Sequence, residues 1–508
     1  MTNPIYHLYF GDIHNHCAVG YGHGTIEEAF QNARLQLDFA CVTCHAWWPD
    51  LPDDEPRLAG VAQYHRDGFA VTARMWPHVQ ELVRANYEPG RFVTFLGHEW
   101  HNCAVGDHNV YYRDGVGEIL QAADLAEMRR RLRRLRDQGI AVMLLPHHVG
   151  YHQGYRGINW AAFTPEFSPV VEIMSMHGAA ESPEAPRPYL HTMGPRNWES
   201  TYQYGLAQGH IVGVKGSTDH HSGHPGSYGH GRLAVWAEGL TREGIWAAIQ
   251  ARRTYALTGD NIRLAYTLNG APIGSVLAPT PERVIEVNVE GGSAIDYVEV
   301  LHNNRVIERR SHHELVRAAG EAAGAGPYKV HVEVGWAERG IDVDWQVALA
   351  VVGGELLAVE PRFRGHEIVA PQAEEQTAYA FSHWQRVGET GVGFTTRTWG
   401  NPTTTTASTQ GLCLTLAGQP ETTTIQGTIN GQPVTVPLAR LLAGPLSGYL
   451  GGFLTPCYYF HRAIPQAEYT ARLAFTHHSP SPQRDWYHVR VRQANDQWAW
   501  SSPIWVEG

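Results

Sequence analysis

Along the first half of the chain, short apolar runs alternate with amphipathic stretches, and run after run leads into a histidine or a carboxylate. Ile5 to Phe10, Leu37 to Thr43, Arg91 to Gly97, Ile140 to Leu145, Pro169 to Met174 and His210 to Gly216 have the length and composition of buried strands. Between them lie helical patterns. Thr25-Ile-Glu-Glu28 is a capping-box signature, followed by Ile26, Ala29, Phe30, Ala33 and Leu37 on one helical face. Ala123 to Gln138 places Leu125, Met128, Leu132 and Leu135 inward and arginines outward, with Gly139 as the stop, and Thr241 to Gln250 opens another capped helix. After His45 a polar, proline-containing loop with Trp47 and Trp48 is predicted. The strand ends carry His14 and His16, His45, Glu99, His147 or His148, His177, and Asp219 with His221; His23 lies in the first glycine-rich loop. Six strand ends bearing chemistry are the signature of an α/β fold of the (β/α) barrel type, where function sits on loops after the strands. An open doubly wound sheet would gather ligands at one or two crevices only.

From about residue 262 the pattern changes to alternation with period two, in short lengths between glycine, asparagine and proline turns. Val284 to Val289, Ala294 to Leu301, Lys329 to Val334, Trp345 to Val352 and Trp486 to Arg492 read as strands of a mainly antiparallel, sandwich-like β region. The threonine-rich stretch from Thr403 to Gly448 reads as a β excursion, with a hairpin at Asn430-Gly431. The expected division is residues 1–265 as the catalytic barrel and 266–508 as a β-rich accessory region packed on it.

Charge and composition narrow the function. With 508 residues and 43% hydrophobic positions the chain can bury more than one core. A net charge of -11 argues against a nucleic-acid groove. Six cysteines lack a framework spacing, no segment has membrane-spanning character, and the first residues show no signal-peptide pattern. A cytoplasmic protein acting on a small, anionic molecule is expected, without nucleic-acid or membrane partners; the oligomeric state is left open.

The chemistry lies in the histidines. In an extended backbone His14-x-His16 sends both imidazoles to one side, and Asp219-x-His221 repeats this with a carboxylate. Imidazole mixed with carboxylate suits zinc, manganese or iron better than calcium. More candidates than one ion needs point to two or three divalent transition metal ions, and such a site favours hydrolysis.

Phe10-Gly-Asp-Ile-His-Asn-His16, Val42-Thr-Cys-His45, Gly97-His-Glu99, Pro146-His-His148 and Gly216-Ser-Thr-Asp-His-His221 resemble the ordered metal-binding motifs of the PHP (polymerase and histidinol phosphatase) superfamily. Ala251 to Asp260 and Trp498 to Trp505 resemble a large, little-characterised bacterial branch of it. The resemblance implies a distorted (β/α)7 barrel, commonly a trinuclear metal site, and phosphoester hydrolysis by a metal-bridging hydroxide. It makes His14 and His16 the opening ligands, and Glu99 a bridging carboxylate and catalytic residue. His147 or His148 follows, then His177 with Glu172 as the weaker alternative, and Asp219 and His221 close the set. His23 stands where the superfamily has an aspartate, and Cys44 replaces the aspartate before His45. His177 is a second catalytic candidate, assisting the leaving group, and Lys215 and Arg253 are candidates to hold the substrate anion. His98, His101, His108, His220 and His224 are expected to orient ligands. The alternatives are hydrolysis of an amide, lactone or glycosidic bond, and a non-enzymatic binding module with structural metals.

Overall fold

The first strand, β1 (His7–Asp12), buries its C-terminal half and delivers the chain into a polar interior. In the computed structural model, which describes residues 5–320, 326–366, 378–401, 407–479 and 484–507, the N-terminal half continues as follows. Helix α1 (Ile26–Gln36) starts at a Thr25 capping box, in which Thr25 accepts from the Glu28 amide and the Glu28 carboxylate accepts from the Thr25 amide. Then come β2 (Phe39–Ala40), β3 (Thr43–Trp47), helix α2 (Ala59–Ala85), β4 (Val93–Thr94), β5 (Leu96–Trp100), β6 (His108–Tyr112), helix α3 (Leu125–Asp137), β7 (Val142–Pro146) and β8 (Val170–Ser175). Strand β9 (Gly178–Ala179), helix α4 (Tyr202–Ala207), β10 (Gly213–Gly216), β11 (Arg232–Ala237), helix α5 (Arg242–Gln250, capped by Thr241) and β12 (Thr254–Leu257) complete this half.

The fold is mixed α/β and rich in strands. Among the described residues the N-terminal strands do not close into one hydrogen-bonded ring. β1, β2 and β4 are parallel neighbours in the large sheet, β3, β5, β6 and β7 form a second sheet, and β10, β8 and β9 a third. Three strands break the parallel order: β6 runs antiparallel between β5 and β7, β9 antiparallel to β8, and β11 antiparallel to β1. The expected loop after His45 extends only as far as α2, which is 27 residues long. Its buried stripe passes through His65, Gly68 and Thr72, so the apolar rhythm is too weak to read, and it holds Pro77 in its interior.

The C-terminal half is mainly antiparallel. A sandwich is built from one sheet around Tyr328–Gly335 and Gln410–Gly418 and another around Asp342–Val352 and Gly391–Trp399. Alternate residues Val330, Val332 and Val334 face Val347, Leu349 and Phe394 in their common core. The hairpin Thr424–Ile429 to Gln432–Pro437 turns at Asn430 and Gly431, both at positive φ (46° and 78°), as a type I′ turn requires. The Thr403 to Thr406 run lies outside the described residues.

The division at residue 265 does not coincide with a sheet boundary. Strands Asp485–Gln493, Trp498–Ser501 and Ile504–Val506 belong to the same sheet as β1, and Trp498–Ser501 pairs directly with β12, Tyr255 opposite Ser501. All six cysteines are unpaired, and no described helix is long and apolar enough to cross a membrane.

Candidate metal centre

Two ligand-bearing segments are zipped together beyond the end of β1. The His16 amide donates to the His220 carbonyl and the Asp219 amide to the His14 carbonyl, both at 2.7 Å. Buried Asp12 secures this junction: its carboxylate accepts from the Thr218 hydroxyl and amide and from the Gly226 amide. The side chains of His14, His16 and Asp219 are thereby driven into one volume. β3 adds His45, β5 adds Glu99 opposite it in register, the end of β7 adds His147 and His148, and the end of β8 adds His177.

The contacts inside this volume are close but are mostly not hydrogen bonds. The Nε2 atoms of His14 and His16 lie 3.3 Å apart, as do those of His45 and His221. Asp219 Oδ1 is 2.9 Å from His16 Nε2 and 3.2 Å from His14 Nε2, while its Oδ2 is 3.1 Å from His177 Nε2 and 3.5 Å from His148 Nε2. Glu99 Oε2 sits 3.3 Å from His16 Nε2 and from His45 Nδ1 and 3.5 Å from His14 Nε2; Oε1 is 3.0 Å from His147 Nε2. Yet Glu99 Oε2 and Asp219 Oδ2 are buried without a hydrogen-bond partner. Nitrogen and oxygen atoms bound tetrahedrally to one zinc ion are about 3.3 Å apart, so these spacings are those of ligand edges. Several overlapping sets can be drawn: His14, His16 and Asp219; His16, His45 and His221; Glu99, Asp107, His147 and His148; and His148, His177 and Asp219. The donor set therefore fits more than one ion.

Electrostatics agree with that fit. Burial would push the Glu99 carboxyl up, but the surrounding His101, His147 and His45 imidazoles outweigh it and hold the group well below the usual range. Asp219 is likewise held well below its ordinary value: burial opposes ionisation, and His14 and His177 overcome it. Burial lowers His45 and His148 well below 6.5 and His221 to about 3, so these rings are neutral, the form that binds metal. His14 moves the other way, since Asp219 and Glu172 outweigh its burial.

Around the cluster a second set of groups orients it. Glu172 Oε2 is 2.9 Å from His14 Nδ1 and forms an ion pair with buried Lys215. Asp107 Oδ2 lies 3.1 Å from His101 Nδ1 and accepts from Arg156 Nε at 2.7 Å. The Tyr21 hydroxyl is 2.8 Å from His45 Nδ1, and its ring stacks on that imidazole at 3.7 Å. Asp219, His148 and Arg156 have φ of 53°, 52° and 70°, a left-handed backbone that costs non-glycine residues about 1–3 kcal/mol and that concentrates at functional sites.

The structure thus gathers His14, His16, His45, Glu99, His147, His148, His177, Asp219 and His221, and both members of the His147–His148 pair point into the volume. His23 Nδ1 lies 3.1 Å from the Tyr379 hydroxyl, and its Nε2 is buried without a hydrogen-bond partner. Two expectations are corrected. Lys215 is consumed by Glu172 and supports His14 from behind rather than facing a substrate. Arg253 lies at the opposite end of the sheet, where its guanidinium stacks 4.3 Å from the Tyr6 ring and donates to the Trp236 carbonyl. Cys44 sits in an apolar core, where burial pushes its thiol well up. Of the histidines expected to orient ligands, His101 does so between Glu99 and Asp107, whereas His98 accepts from the Leu120 amide and packs against Trp76. Asp107, Arg156 and Tyr21 escaped the sequence reading. Asp107 directly precedes β6, the strand that was not foreseen, and Arg156 lies in a loop without periodic signal.

No family model matches the chain. An uncharacterised protein of Chlamydia pneumoniae is 28% identical over 294 residues, covering 50% of this chain and 46% of its own length. Another, from Chlamydia trachomatis serovar D, is 28% identical over 325 residues, covering 55% and 51%. The chain thus spans about half the length of the curated relatives it matches. A solved two-domain protein from Bacteroides vulgatus, containing a predicted PHP-like metal-dependent phosphoesterase, aligns with 59% of this chain and 81% of its own at 13% identity and a TM-score of 0.33. At that level of similarity the reading of the site rests on the chain's own residues.

Proposed function

We propose that this protein is a metal-dependent hydrolase that cleaves a small-molecule phosphate ester with two or three divalent ions, zinc, manganese or iron, held by the clustered histidines, Glu99 and Asp219. One observation carries the reading: Glu99 Oε2 and Asp219 Oδ2 are buried without hydrogen-bond donors, 3.1–3.5 Å from imidazole nitrogens of His14, His16, His45, His148 and His177. Ions bound there would polarise the ester and provide a nucleophile at neutral pH.

The chain's own groups have distinct parts. Glu99, approached by imidazoles on both of its oxygens, is the natural bridge between ions. Glu172, backed by Lys215, fixes the ring of His14, and Asp107, backed by Arg156, fixes that of His101. His177, part-exposed at the rim, belongs with Asp219 and His148 as a ligand, which leaves the Tyr21 hydroxyl as the neutral proton donor beside the cluster. Residues 1–265 are read as a barrel of the (β/α)7 type, distorted by the antiparallel β6, with 266–508 as its β-rich companion. Six unpaired cysteines suit a reducing, cytoplasmic setting.

A second reading, attack on a carbon centre in an amide, lactone or glycoside, draws on one feature. The cations nearest the cluster, Arg156 and Lys215, are each ion-paired with a buried carboxylate, so neither is a dedicated phosphate clamp. The test is elemental analysis of the purified, metal-supplemented protein, followed by a screen of phosphomonoesters, phosphodiesters, amides, lactones and aryl glycosides. Two or three ions per chain with phosphoester turnover, both lost in Glu99→Ala, is the expected result. At most one ion, or turnover that survives Glu99→Ala and Asp219→Ala, would overturn it; turnover confined to a carbon-centred substrate would select the second reading.

A further inference from the structure

A second built site lies in the β region, and none of its lining residues belongs to the metal cluster. It is a cleft of about 440 Å³ walled by the outer face of the sandwich strand Tyr328–Gly335, by the chain following Gly354–Arg362 and Cys457–Phe460, and by Tyr228 of the N-terminal half. Period-two alternation explains the wall. Val330, Val332 and Val334 enter the sandwich core, so Lys329, His331 and Glu333 must face the other way, into the cleft.

Four fixed cations line it, Lys329, Arg362, Arg364 and Arg462, against one lining carboxylate, Glu333. Three of the cations have a carboxylate partner. Asp260 lies 2.9 Å from Arg362, Glu468 accepts from Arg462 at 3.0 Å, and Glu290 is 3.3 Å from Lys329 but is itself 45% exposed. Arg364 differs. Its guanidinium stacks over the Tyr228 ring at 4.8 Å and donates to the Thr409 carbonyl and hydroxyl, and Glu333 comes no nearer than 4.0 Å. Glu333 is already engaged, by His461 Nε2 at 2.8 Å and by the Thr409 hydroxyl. Buried Arg362 also keeps its Nε without a hydrogen-bond partner.

His331, Glu333 and His461 stand close enough to invite comparison with a two-histidine, one-carboxylate metal site, the two rings stacking at 4.5 Å. The surroundings oppose that. A metal ion here would face Arg362, Arg364, Lys329 and Arg462 with a single carboxylate in the wall, the reverse of the balance at the metal cluster. An anion meets the opposite situation, with a guanidinium fork lacking a close carboxylate and a lysine whose counter-ion is half in water. We propose that this cleft binds a small oxyanion, a phosphate or polycarboxylate group, with Arg364 and Lys329 as its main contacts. The site stands whether or not the hydrolase reading does.

The test is titration calorimetry on the full-length, metal-loaded protein with inorganic phosphate and, separately, with citrate, for the wild type, Arg364→Ala, Lys329→Gln and Asp219→Ala. Apart from any anion held by the metal cluster, one anion per chain is expected to bind the cleft of the wild type and of Asp219→Ala equally, and to bind that of Arg364→Ala and Lys329→Gln at least about tenfold more weakly, the loss of one charge-assisted contact. Binding of phosphate alone or citrate alone names the class. Thermal melting checks that each variant is folded; if Arg364→Ala does not fold, Lys329→Gln, whose partner Glu290 is half exposed, decides. Binding of neither anion, equal binding by wild type and cleft variants, or loss only in Asp219→Ala would overturn the proposal.

Discussion

The metal cluster and the β-region cleft are built from the same residue types, histidine and carboxylate, yet they ask for ligands of opposite sign. In the cluster, Glu99, Asp107, Glu172 and Asp219 are all buried, and among the described residues Lys215 and Arg156 are the fixed cations paired with them. In the cleft, cations outnumber the one lining carboxylate and draw their counter-charges from outside the wall. Histidine content therefore says little about what a site binds. The sign of the uncompensated charge around the imidazoles decides it, and burial decides how strongly, because a buried carboxylate without a partner costs far more than a half-exposed one.

The comparison breaks most sharply under chelation. Stripping divalent ions should lower the melting temperature by more than about 5 °C, since ions bind only the folded state, while phosphate binding in the cleft should survive; calorimetric scans with and without chelator check both. Asp219→Ala should reproduce the loss of ions without a chelator. Next in size is Lys215→Met, which leaves Glu172 buried with His14 as its remaining partner. It should cost about 3–5 kcal/mol in denaturant unfolding, and a smaller loss would mean that water reaches Glu172. Glu172→Gln keeps the shape but weakens the acceptor for His14, and should lower metal affinity about 10- to 100-fold in competition with a chromophoric chelator. The same kind of disconnection in the cleft is mild: Lys329→Met, with its partner half in water, should cost no more than about 1 kcal/mol. Least of all, Arg253→Ala should leave turnover and metal content unchanged and lose about 0.5–1 kcal/mol of cation–π stability in unfolding experiments.

Much of the site is legible because it lies on runs with strong local signals. His14 and His16 follow an apolar run, and the capping box of α1 and the arginine-faced pattern of α3 announce themselves from neighbouring residues alone. Helix α2 does not, because its inward face uses His65, Gly68 and Thr72 before Trp76, Val79 and Val83 reach the apolar core. Asp107 and Arg156 are united by a hydrogen bond across 49 residues, which no local pattern encodes. Arg253 shows the complementary failure. It precedes a strand of the right sheet, but β12 begins level with the start of β1, so the residue enters at the end remote from His14. The antiparallel strand β6 was invisible for a similar reason: a hairpin replaces the crossover helix that the surrounding grammar leads one to expect.

The strand Trp498–Ser501, hydrogen-bonded beside β12, has a consequence for the order in which the molecule can be made. During synthesis β1, β11 and β12 emerge first, and β12 waits with an unpaired edge while more than two hundred further residues are translated. The sheet beneath the cluster can be completed only once that strand has been translated, by a pairing of very high sequence separation that loop-closure entropy makes slow. A nascent chain halted before residue 498 would carry every candidate ligand and still present an open template for strand addition, so that edge needs protection throughout elongation.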